Sequence, residues 1–156
     1  MKTNRVVENL YLAPNTLTQR MEGPTCSGSI LIDYSKMKDG DRAGLAAFNS
    51  DTGTLTIKKR GKTVYLEMEE LSVQLSDRDK EVTKYDEKMV EGVSLTLLSP
   101  KSTKVWLRID ADFRPGQSGR RMGGADKANF YYSLDGQQWT QIGSKDYHLG
   151  FDWRRF

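Results

Sequence analysis

The chain has 156 residues and a mass of 17.7 kDa, which suits one domain with a single core and excludes a large enzyme barrel. Charged residues make up 29% of the sequence and apolar residues 37%, a composition typical of a globular protein and not of a disordered one. The formal net charge is only +3, and the short basic runs lack the helical context and aromatic motifs of a nucleic-acid site. We therefore expect no nucleic acid as a partner.

The N-terminal sequence MKTNRVVENL contains no apolar signal region. No run in the chain approaches the ~18 apolar residues that a membrane-spanning helix needs. We expect neither a signal peptide in this chain nor a membrane partner, and these features leave the compartment open.

Four segments alternate between apolar and polar residues with the period of two that is typical of half-buried strands. Turn residues separate the segments at short intervals, a pattern that favours an antiparallel β-sandwich. We therefore predict an all-β fold with a core built from the apolar positions of these segments. Those positions are Ile30, Ile32 and Tyr34, then Leu55 and Ile57, then Val64, Leu66 and Met68, and finally Val105, Leu107, Ile109, Ala111 and Phe113.

Three other segments have less regular patterns. Residues 43–49, AGLAAFN, are continuously small or apolar, which favours a central strand covered on both faces, although the pattern also allows a short helix. The charged stretch 76–92 has a weak pattern and is interpreted as an excursion between strands. Residues 114–129 contain five Gly or Pro residues in sixteen and predict a long loop.

Asp135-Gly136 lies between two apolar runs in FYYSLDGQQWTQIG, residues 130–143. This dipeptide is the strongest short-range signal of a two-residue hairpin turn. Such a turn would pair Tyr132 with Trp139, and we interpret Asp135 as a turn residue and not as a catalytic group. The predicted core face of the hairpin consists of Phe130, Tyr132, Leu134 and Trp139.

The sequence lacks the residues that most kinds of catalysis require. Cys26 is the only cysteine and His148 the only histidine, so an intrachain disulfide is impossible, and zinc and thiolate sites have too few ligands. Cys26 stands at the entry to an apolar strand and is interpreted as a buried structural thiol. The sequence contains neither a phosphate-binding loop nor a GxSxG motif, so nucleophilic and phosphoryl-transfer chemistry are not expected.

Asp110 and Asp112 remain as candidate carboxylates, because glycoside hydrolysis needs only two at a fixed separation. Their spacing puts them on one polar strand face with Trp106 and Arg108. They could serve as acid and base, Trp106 could be a platform for a sugar ring, or the face could be an ordinary solvent face. We favour the solvent face, with Arg108 offsetting the two acids.

Asp39 and Asp41 flank Gly40 in KDGDRAG and could hold a hard cation together with backbone carbonyls. The spacing is far from that of an EF-hand loop, so we favour a plain turn. We predict no cofactor and no metal site, and no motif supports the option of a structural calcium ion.

Four motifs in combination resemble one known family. They are TLTQR, GPTCSG, DGDRAGLAA and FYYSLDGQQW, and the resemblance extends from about Asn9 to Trp139. Together they resemble the C-terminal β-sandwich of glycoside hydrolase family 43, the β-xylosidase and α-arabinofuranosidase group. The resemblance implies a concanavalin-like jelly roll, and we expect residues 1–156 to form a single accessory domain.

The resemblance also implies that this chain has no catalytic residue, because the family's catalytic carboxylates lie on a separate five-bladed propeller. In family members the sandwich packs on that propeller, and the loop before the Ala-Gly-Leu strand approaches the substrate pocket. The matching positions, expected at the pocket edge or in a docking loop, are Lys36, Met37, Lys38, Asp39, Asp41 and Arg42.

Family domains usually continue beyond the segment that matches LGFDWRRF, so we expect a sandwich that is incomplete at one or both ends. An exposed edge strand is prone to association, which predicts a bound partner strand, a swapped dimer or a truncated fragment. The expected partner is the catalytic propeller or a second copy of this chain.

We therefore expect a noncatalytic accessory module of a hydrolase that degrades xylan or arabinan. One alternative is an independent carbohydrate-binding module that contacts xylo- or arabino-oligosaccharides through Trp106, Tyr147 and Trp153. A second alternative is a small hydrolase that uses Asp110 and Asp112.

Overall fold

The computed structural model describes residues 6–49, 51–76, 81–114 and 126–149, and within these ranges nearly all of the regular secondary structure is β-strand. The strands are β1 (Thr25–Asp33), β2 (Arg42–Ala47), β3 (Asp51–Arg60), β4 (Thr63–Leu75), β5 (Val82–Ser94), β6 (Lys104–Asp112), β7 (Lys127–Ser133), β8 (Thr140–Gln141) and β9 (Tyr147–His148). A 3-10 turn at Leu10–Leu12 and a one-turn helix, α1 (Leu95–Leu98), complete the described elements. No helix in the described ranges is long and apolar enough to cross a membrane.

The strands form two antiparallel sheets that pack face to face. Sheet A has the order β1-β6-β7-β8, with β9 also paired to β7, and sheet B has the order β2-β3-β4-β5. The predicted all-β sandwich is therefore confirmed.

The core lies between the two sheets and contains every apolar position of the four alternating segments. Leu55, Leu66, Met68, Leu107 and Phe130 are fully buried at its centre. Cys26 packs against this core from β1 but is half-buried, so the predicted burial of its thiol is only partial. Alternation predicted the core well because the strand period of two assigns each side chain to one face.

The predicted central position of residues 43–49 is wrong, because β2 is an edge strand of sheet B. At position 44 only glycine fits, because a Cβ there would collide with the backbone carbonyl oxygen of Leu55 on β3. The apolar run therefore reflects tight strand pairing at an edge and not burial on both faces.

The interpretation of residues 76–92 as an excursion is also wrong, because most of this segment forms the long edge strand β5. Its pairing with β4 shifts between Met68 and Glu69, where Val90 is the extra residue, and shifts again between Gln74 and Leu75. These bulges break the period of two, and an edge strand tolerates many charges, so the sequence pattern was weak.

The turn after β7 is longer than a two-residue hairpin, because Tyr132 pairs with Thr140 and not with Trp139. Phe130 is buried and Tyr132 packs against the core as predicted, whereas Leu134 is 40% exposed. Trp139 lies on the outer face of sheet A, with its ring 4.5 Å from the Arg108 guanidinium, so its predicted core position is wrong. The predicted loop 114–129 extends too far, because residues 127–129 already belong to β7, and residues 115–125 lie outside the described ranges.

The outermost strands are β1, β8 and β9 in sheet A and β2 and β5 in sheet B. The edge strand β5 carries exposed charges at Lys84, Asp86 and Lys88, which discourage pairing with another strand. The expected partner strand or swapped dimer remains a prediction.

Candidate functional site

The loop between β1 and β2, residues 34–41, carries most of the predicted docking positions and is fixed to the turn between β3 and β4. The Asp39 carboxylate accepts a hydrogen bond from the Gly61 N–H at 2.6 Å, and the Lys59 ammonium donates one to the Met37 carbonyl at 2.7 Å. Two backbone hydrogen bonds join Gly40 and Asp41 to Lys59 at 2.9 and 3.2 Å. The loop is therefore pre-organised by its own domain.

Each predicted position in this loop has a definite environment. Met37 packs against the core, whereas Lys36 and Lys38 are exposed. The Asp41 carboxylate accepts a hydrogen bond from the Lys38 N–H at 2.7 Å and so closes a turn around Gly40, whose φ of +84° favours glycine. Arg42 points to the outer face of sheet B and pairs with Glu87 at 3.0 Å.

Four exposed leucines lie at the same end of the sandwich as this loop. Strand register places α1, the turn after β7 and the last residues of β1 at the same end of the sandwich, which we call the loop end. At the loop end, Leu97 is 82%, Leu98 47% and Leu31 44% exposed, and Leu134 belongs to the turn after β7. Apolar side chains beside a rigid polar loop are typical of surfaces that contact another protein.

A network of six charged side chains lies on the outer face of sheet B next to the loop end, and we call it the charged network. Lys58 is its centre: the Lys58 ammonium lies 3.1 Å from Glu67 and 3.2 Å from Glu87 and also contacts Glu69. Only 7% of the Lys58 side chain, 3% of Glu67 and 4% of Glu69 are exposed. The members are Arg42, Lys58, Arg60, Glu67, Glu69 and Glu87.

For Lys58 and Glu67 in this network, hydrogen bonds shift the pKa in the opposite direction to burial and have the larger effect. Burial alone would lower the pKa of Lys58, but hydrogen bonds to Glu69 and Glu67 outweigh it and raise that pKa. Burial alone would raise the pKa of Glu67, but hydrogen bonds from Arg60 and Lys58 lower it. These two groups are therefore a buried ion pair at neutral pH.

The neighbouring carboxyl groups of Glu69 and Glu87 have pKa values that shift in opposite directions. Burial and the hydrogen bond with Glu87 raise the pKa of Glu69. Burial alone would raise the pKa of Glu87 as well, but hydrogen bonds from Glu69, Lys58 and Tyr85 lower it to about 2. Glu69 is therefore the more basic of the two carboxyl groups. The three cations and three carboxylates of the charged network balance when all six are ionised.

Sequence analysis missed this network, although half of it carried a signal. The β3–β4 hairpin pairs Arg60 with Thr63, and this register puts Lys58 diagonally opposite Glu67 on one face. The turn residues of RGK therefore predict the Lys58–Glu67 contact. Glu87 lies 29 residues from Lys58 on a bulged strand, and no local pattern points to it.

Asp110 and Asp112 both lie on the outer face of sheet A and are both engaged. Asp110 accepts hydrogen bonds from Ser27 at 2.6 Å and from Arg108 at 3.0 Å. Hydrogen bonds from Arg114 lower the pKa of Asp112 to about 2, so its carboxyl carries no proton to donate at neutral pH. These contacts disfavour an acid–base pair of Asp110 and Asp112. Arg108 pairs with Asp110 as expected, whereas Arg114, not Arg108, pairs with Asp112.

Asp135 has a structural role in the turn after β7. Its carboxylate accepts hydrogen bonds from the backbone N–H groups of Gln137 and Gln138, both at 2.8 Å, and from the Ser133 hydroxyl at 2.9 Å. The backbone hydrogen bonds from Gln138 and Gln137 lower the pKa of Asp135. These contacts fit the turn residue that we predicted.

The predicted carbohydrate contacts do not come together as one exposed platform among the described residues. Trp106 is half-buried beneath the turn after β7, where a Cβ on Gly136 would lie 2.9 Å from the indole nitrogen. Tyr147 packs edge-on against Phe130 at 5.8 Å, facing the core at the opposite end of the sandwich. Trp153 lies outside the described ranges, and contact of these three residues with sugar remains a prediction.

Within the described ranges, no group of three or more His, Cys, Asp or Glu side chains could hold a metal ion. The carboxylates of Asp39 and Asp41 already accept backbone N–H groups. The structural calcium ion and the predicted independence from cofactors both remain untested.

The packing of Tyr147 can be tested through the pH dependence of the unfolding free energy. Burial and the nearby Asp51 and Glu70 carboxylates raise the pKa of Tyr147 from 10.0 to about 12. Above pH 10 the unfolded chain ionises this phenol while the folded chain does not, so its contribution to stability is complete below pH 10 and is lost between about pH 10 and 12. We expect Tyr147→Phe to reduce the fall in unfolding free energy over this range, measured by urea denaturation. Equal slopes for the variant and the parent chain would contradict the assignment.

The comparisons with known proteins agree with this fold. Residues 1–153 match the family described as the beta xylosidase C-terminal concanavalin A-like domain. A solved GH43 glycoside hydrolase, engineered to display both endo-xylanase and exo-arabinofuranosidase activity, superposes with a TM-score of 0.78 at 28% sequence identity. The superposition covers 99% of this chain and 28% of that hydrolase, and no curated protein matches the chain.

The predicted concanavalin-like sandwich and the predicted family are therefore both confirmed. The match includes the loop before β2, the charged strand β5 and the turn after β7. The chain belongs to the family of C-terminal concanavalin A-like domains of β-xylosidases, glycoside hydrolase family 43.

Proposed function

We propose that this chain is the noncatalytic accessory sandwich of a hydrolase that degrades xylan or arabinan, and that it packs on a separate catalytic domain and shapes its active site. The observation that carries the proposal is the pre-organised loop 34–41, which is tied to the β3–β4 turn by Asp39, Lys59 and Asp41. A loop held in this way can present side chains to a neighbouring pocket without ordering its own backbone on contact.

Four of the described carboxylates are either held by other side chains or buried, which supports a noncatalytic role. A glycosidase needs one carboxyl group that donates a proton and a second that faces the sugar or a water molecule. Asp112 stays ionised beside Arg114, and Asp110 is held by Ser27 and Arg108. Glu67 and Glu69 are too buried to reach a sugar.

The loop end supports contact with a catalytic domain. It combines the exposed leucines Leu97 and Leu98 with the polar loop 34–41, the mixture of apolar centre and polar rim found in protein interfaces. The hydrolase that this chain resembles is about three and a half times as long, since the chain covers 28% of it. The partner in this proposal is a catalytic domain of that family.

The proposal is tested by combining this chain with the catalytic domain of its parent hydrolase. The chain alone should not hydrolyse the nitrophenyl glycosides of xylose or arabinose, whereas adding it should raise the activity or the melting temperature of the catalytic domain. Turnover by the chain alone would overturn the noncatalytic role. An unchanged catalytic domain, with no complex on gel filtration, would overturn the docking role.

Asp39→Ala tests the loop within that complex. Loss of the hydrogen bond to Gly61 should loosen the loop and lower kcat/KM by about tenfold, because small displacements near a pocket are costly. Lys145→Ala, an exposed change far from the loop end, is the matched control. An Asp39→Ala complex that forms normally and keeps full kcat/KM would show that the loop does not shape the pocket.

A further inference from the structure

The outer face of sheet A contains a shallow open depression across β1, β6 and β7, which we call the polar depression. Strand register aligns Ser27, Asp110 and Asn129 in one row across it and Ser29, Arg108 and Tyr131 in the next. The polar residues that line it are Thr25, Ser27, Arg108, Asp110, Asp112 and Asn129.

Arg108 forms one wall of the polar depression in an unusual setting. Its guanidinium lies between two aromatic rings, 4.8 Å from the centre of Tyr131 and 4.5 Å from that of Trp139. Its Nε is buried and has no hydrogen-bond acceptor among the described residues, although a buried polar atom normally has one. The side chain is still 28% exposed, so part of its edge faces the depression.

The remaining walls offer both acceptors and donors at fixed positions. Asp110 is 36% exposed while Ser27 and Arg108 hold its carboxylate, so lone pairs remain available to a ligand. The Asn129 side chain is oriented by hydrogen bonds with Gln141 and with Asp146 at 3.0 and 2.9 Å. These groups need no rearrangement before they bind a ligand.

The charges of the depression select a class of ligand. An anion would meet Asp110 and Asp112, and a cation would meet Arg108 within the same site. A neutral ligand with adjacent hydroxyl groups matches it, because each hydroxyl both donates and accepts. The half-buried rings of Tyr131 and Trp139 do not line the depression itself, but they contact the Arg108 guanidinium beside it and could offer sugar C–H groups an apolar edge there.

We propose that the polar depression is a binding site for a neutral oligosaccharide, distinct from the loop end and independent of Trp106, Tyr147 and Trp153. Asp110 accepts from sugar hydroxyls, Arg108 donates to sugar oxygens, and Tyr131 and Trp139 flank the chain of sugar rings. The site would hold a polysaccharide near a catalytic domain without cleaving it. The choice of xylan and arabinan sugars as ligands rests on the proposed function.

The test is titration of the 156-residue chain with xylo- and arabino-oligosaccharides, followed by calorimetry and by amide NMR shifts. We expect a dissociation constant of about 1 mM or tighter. The largest shifts should fall on Ser27, Asp110 and Asn129. No binding at about 10 mM of either sugar, or shifts confined to other surfaces, would overturn the site.

Asp110→Asn should weaken the binding by about tenfold, because it removes a charged acceptor. Asp86→Asn, an exposed acid on the opposite sheet, is the control and should leave the affinity unchanged. If Asp110→Asn lowers the melting temperature, its effect on binding could come from loss of stability. Ser27→Ala is then the milder variant that tests the site, and it should weaken the binding about threefold. Equal affinities of all variants and the parent chain would overturn the assignment. The experiment needs no catalytic domain, so its failure is distinguishable from failure of the docking role.

Discussion

Replacement of Lys58 by alanine should lower the free energy of unfolding by about 3–5 kcal/mol, because it removes the central cation of a buried ion cluster. Glu67 and Glu69 are each no more than 4% exposed, and Lys58 contacts both. Without the ammonium, the Glu67 charge would keep only Arg60 as an ion-pair partner among the described residues, and that arginine is 54% exposed. Urea denaturation at pH 7 measures the change directly.

The matched control for this change is Lys84→Ala. Lys84 pairs with Asp86 at 2.7 Å on β5, but both side chains are more than half exposed. A solvated pair of this kind contributes about 0–1 kcal/mol, so the control should be nearly neutral. If Lys58→Ala cost no more than Lys84→Ala, the charged network would be ordinary surface charge and the ion-pair account would be wrong.

Replacement of Phe130 by alanine should have a similar cost, about 3–5 kcal/mol, by opening a cavity in the centre of the core. Phe130 is fully buried on β7, its ring packs edge-on against Tyr147, and Gly53 of sheet B lies directly against it. A Cβ at Gly53 would collide with the Phe130 ring, so the two residues are fitted to one another across the sandwich. The surroundings are therefore too constrained to collapse around an alanine.

Leu134→Ala is the control for the core change. Leu134 lies four residues along the same segment but is 40% exposed, so its truncation removes little buried surface and should cost less than about 1 kcal/mol. Both variants are compared by urea denaturation, with the slope of each transition as a check on two-state unfolding. A Phe130→Ala protein as stable as Leu134→Ala would contradict the placement of the ring in the core.

The charged network and the loop end hold their polar side chains in two different ways. In the network, each charged side chain contacts one of opposite charge. At the loop end, backbone N–H groups and carbonyls hold Asp39 and Asp41, which leaves Lys36 and Lys38 exposed. A partner would thus meet exposed lysines and leucines on a surface that does not need to order itself.

The sequence alone determined the fold class and most of the core. Leu55, Leu66, Leu107 and Ile109 alternate with polar residues, and because a strand sends successive side chains to opposite faces, their burial follows from position. The family could also be read from four short motifs, because turn and edge residues such as Gly40 and Gly44 have few replacements.

The role of Asp135 in its turn could also be predicted from the sequence. The residue that pairs with Tyr132 on the next strand could not. A turn residue caps N–H groups two or three positions away, so its chemistry is local. The predicted turn was too short. The predicted face of Trp139 was wrong for the same reason, because a change of register moves side chains to the opposite face of the sheet.

Only the tertiary structure decided the edge positions of β2 and β5, the charged network and the polar depression. Arg42 meets Glu87 across 45 residues and Ser27 meets Asp110 across 83, so no local pattern contains either pair. Two bulges in β5 also removed the alternation on which prediction depends. Contacts between distant strands depend on sheet order and register, and both are determined by packing of the whole chain and not by any one segment.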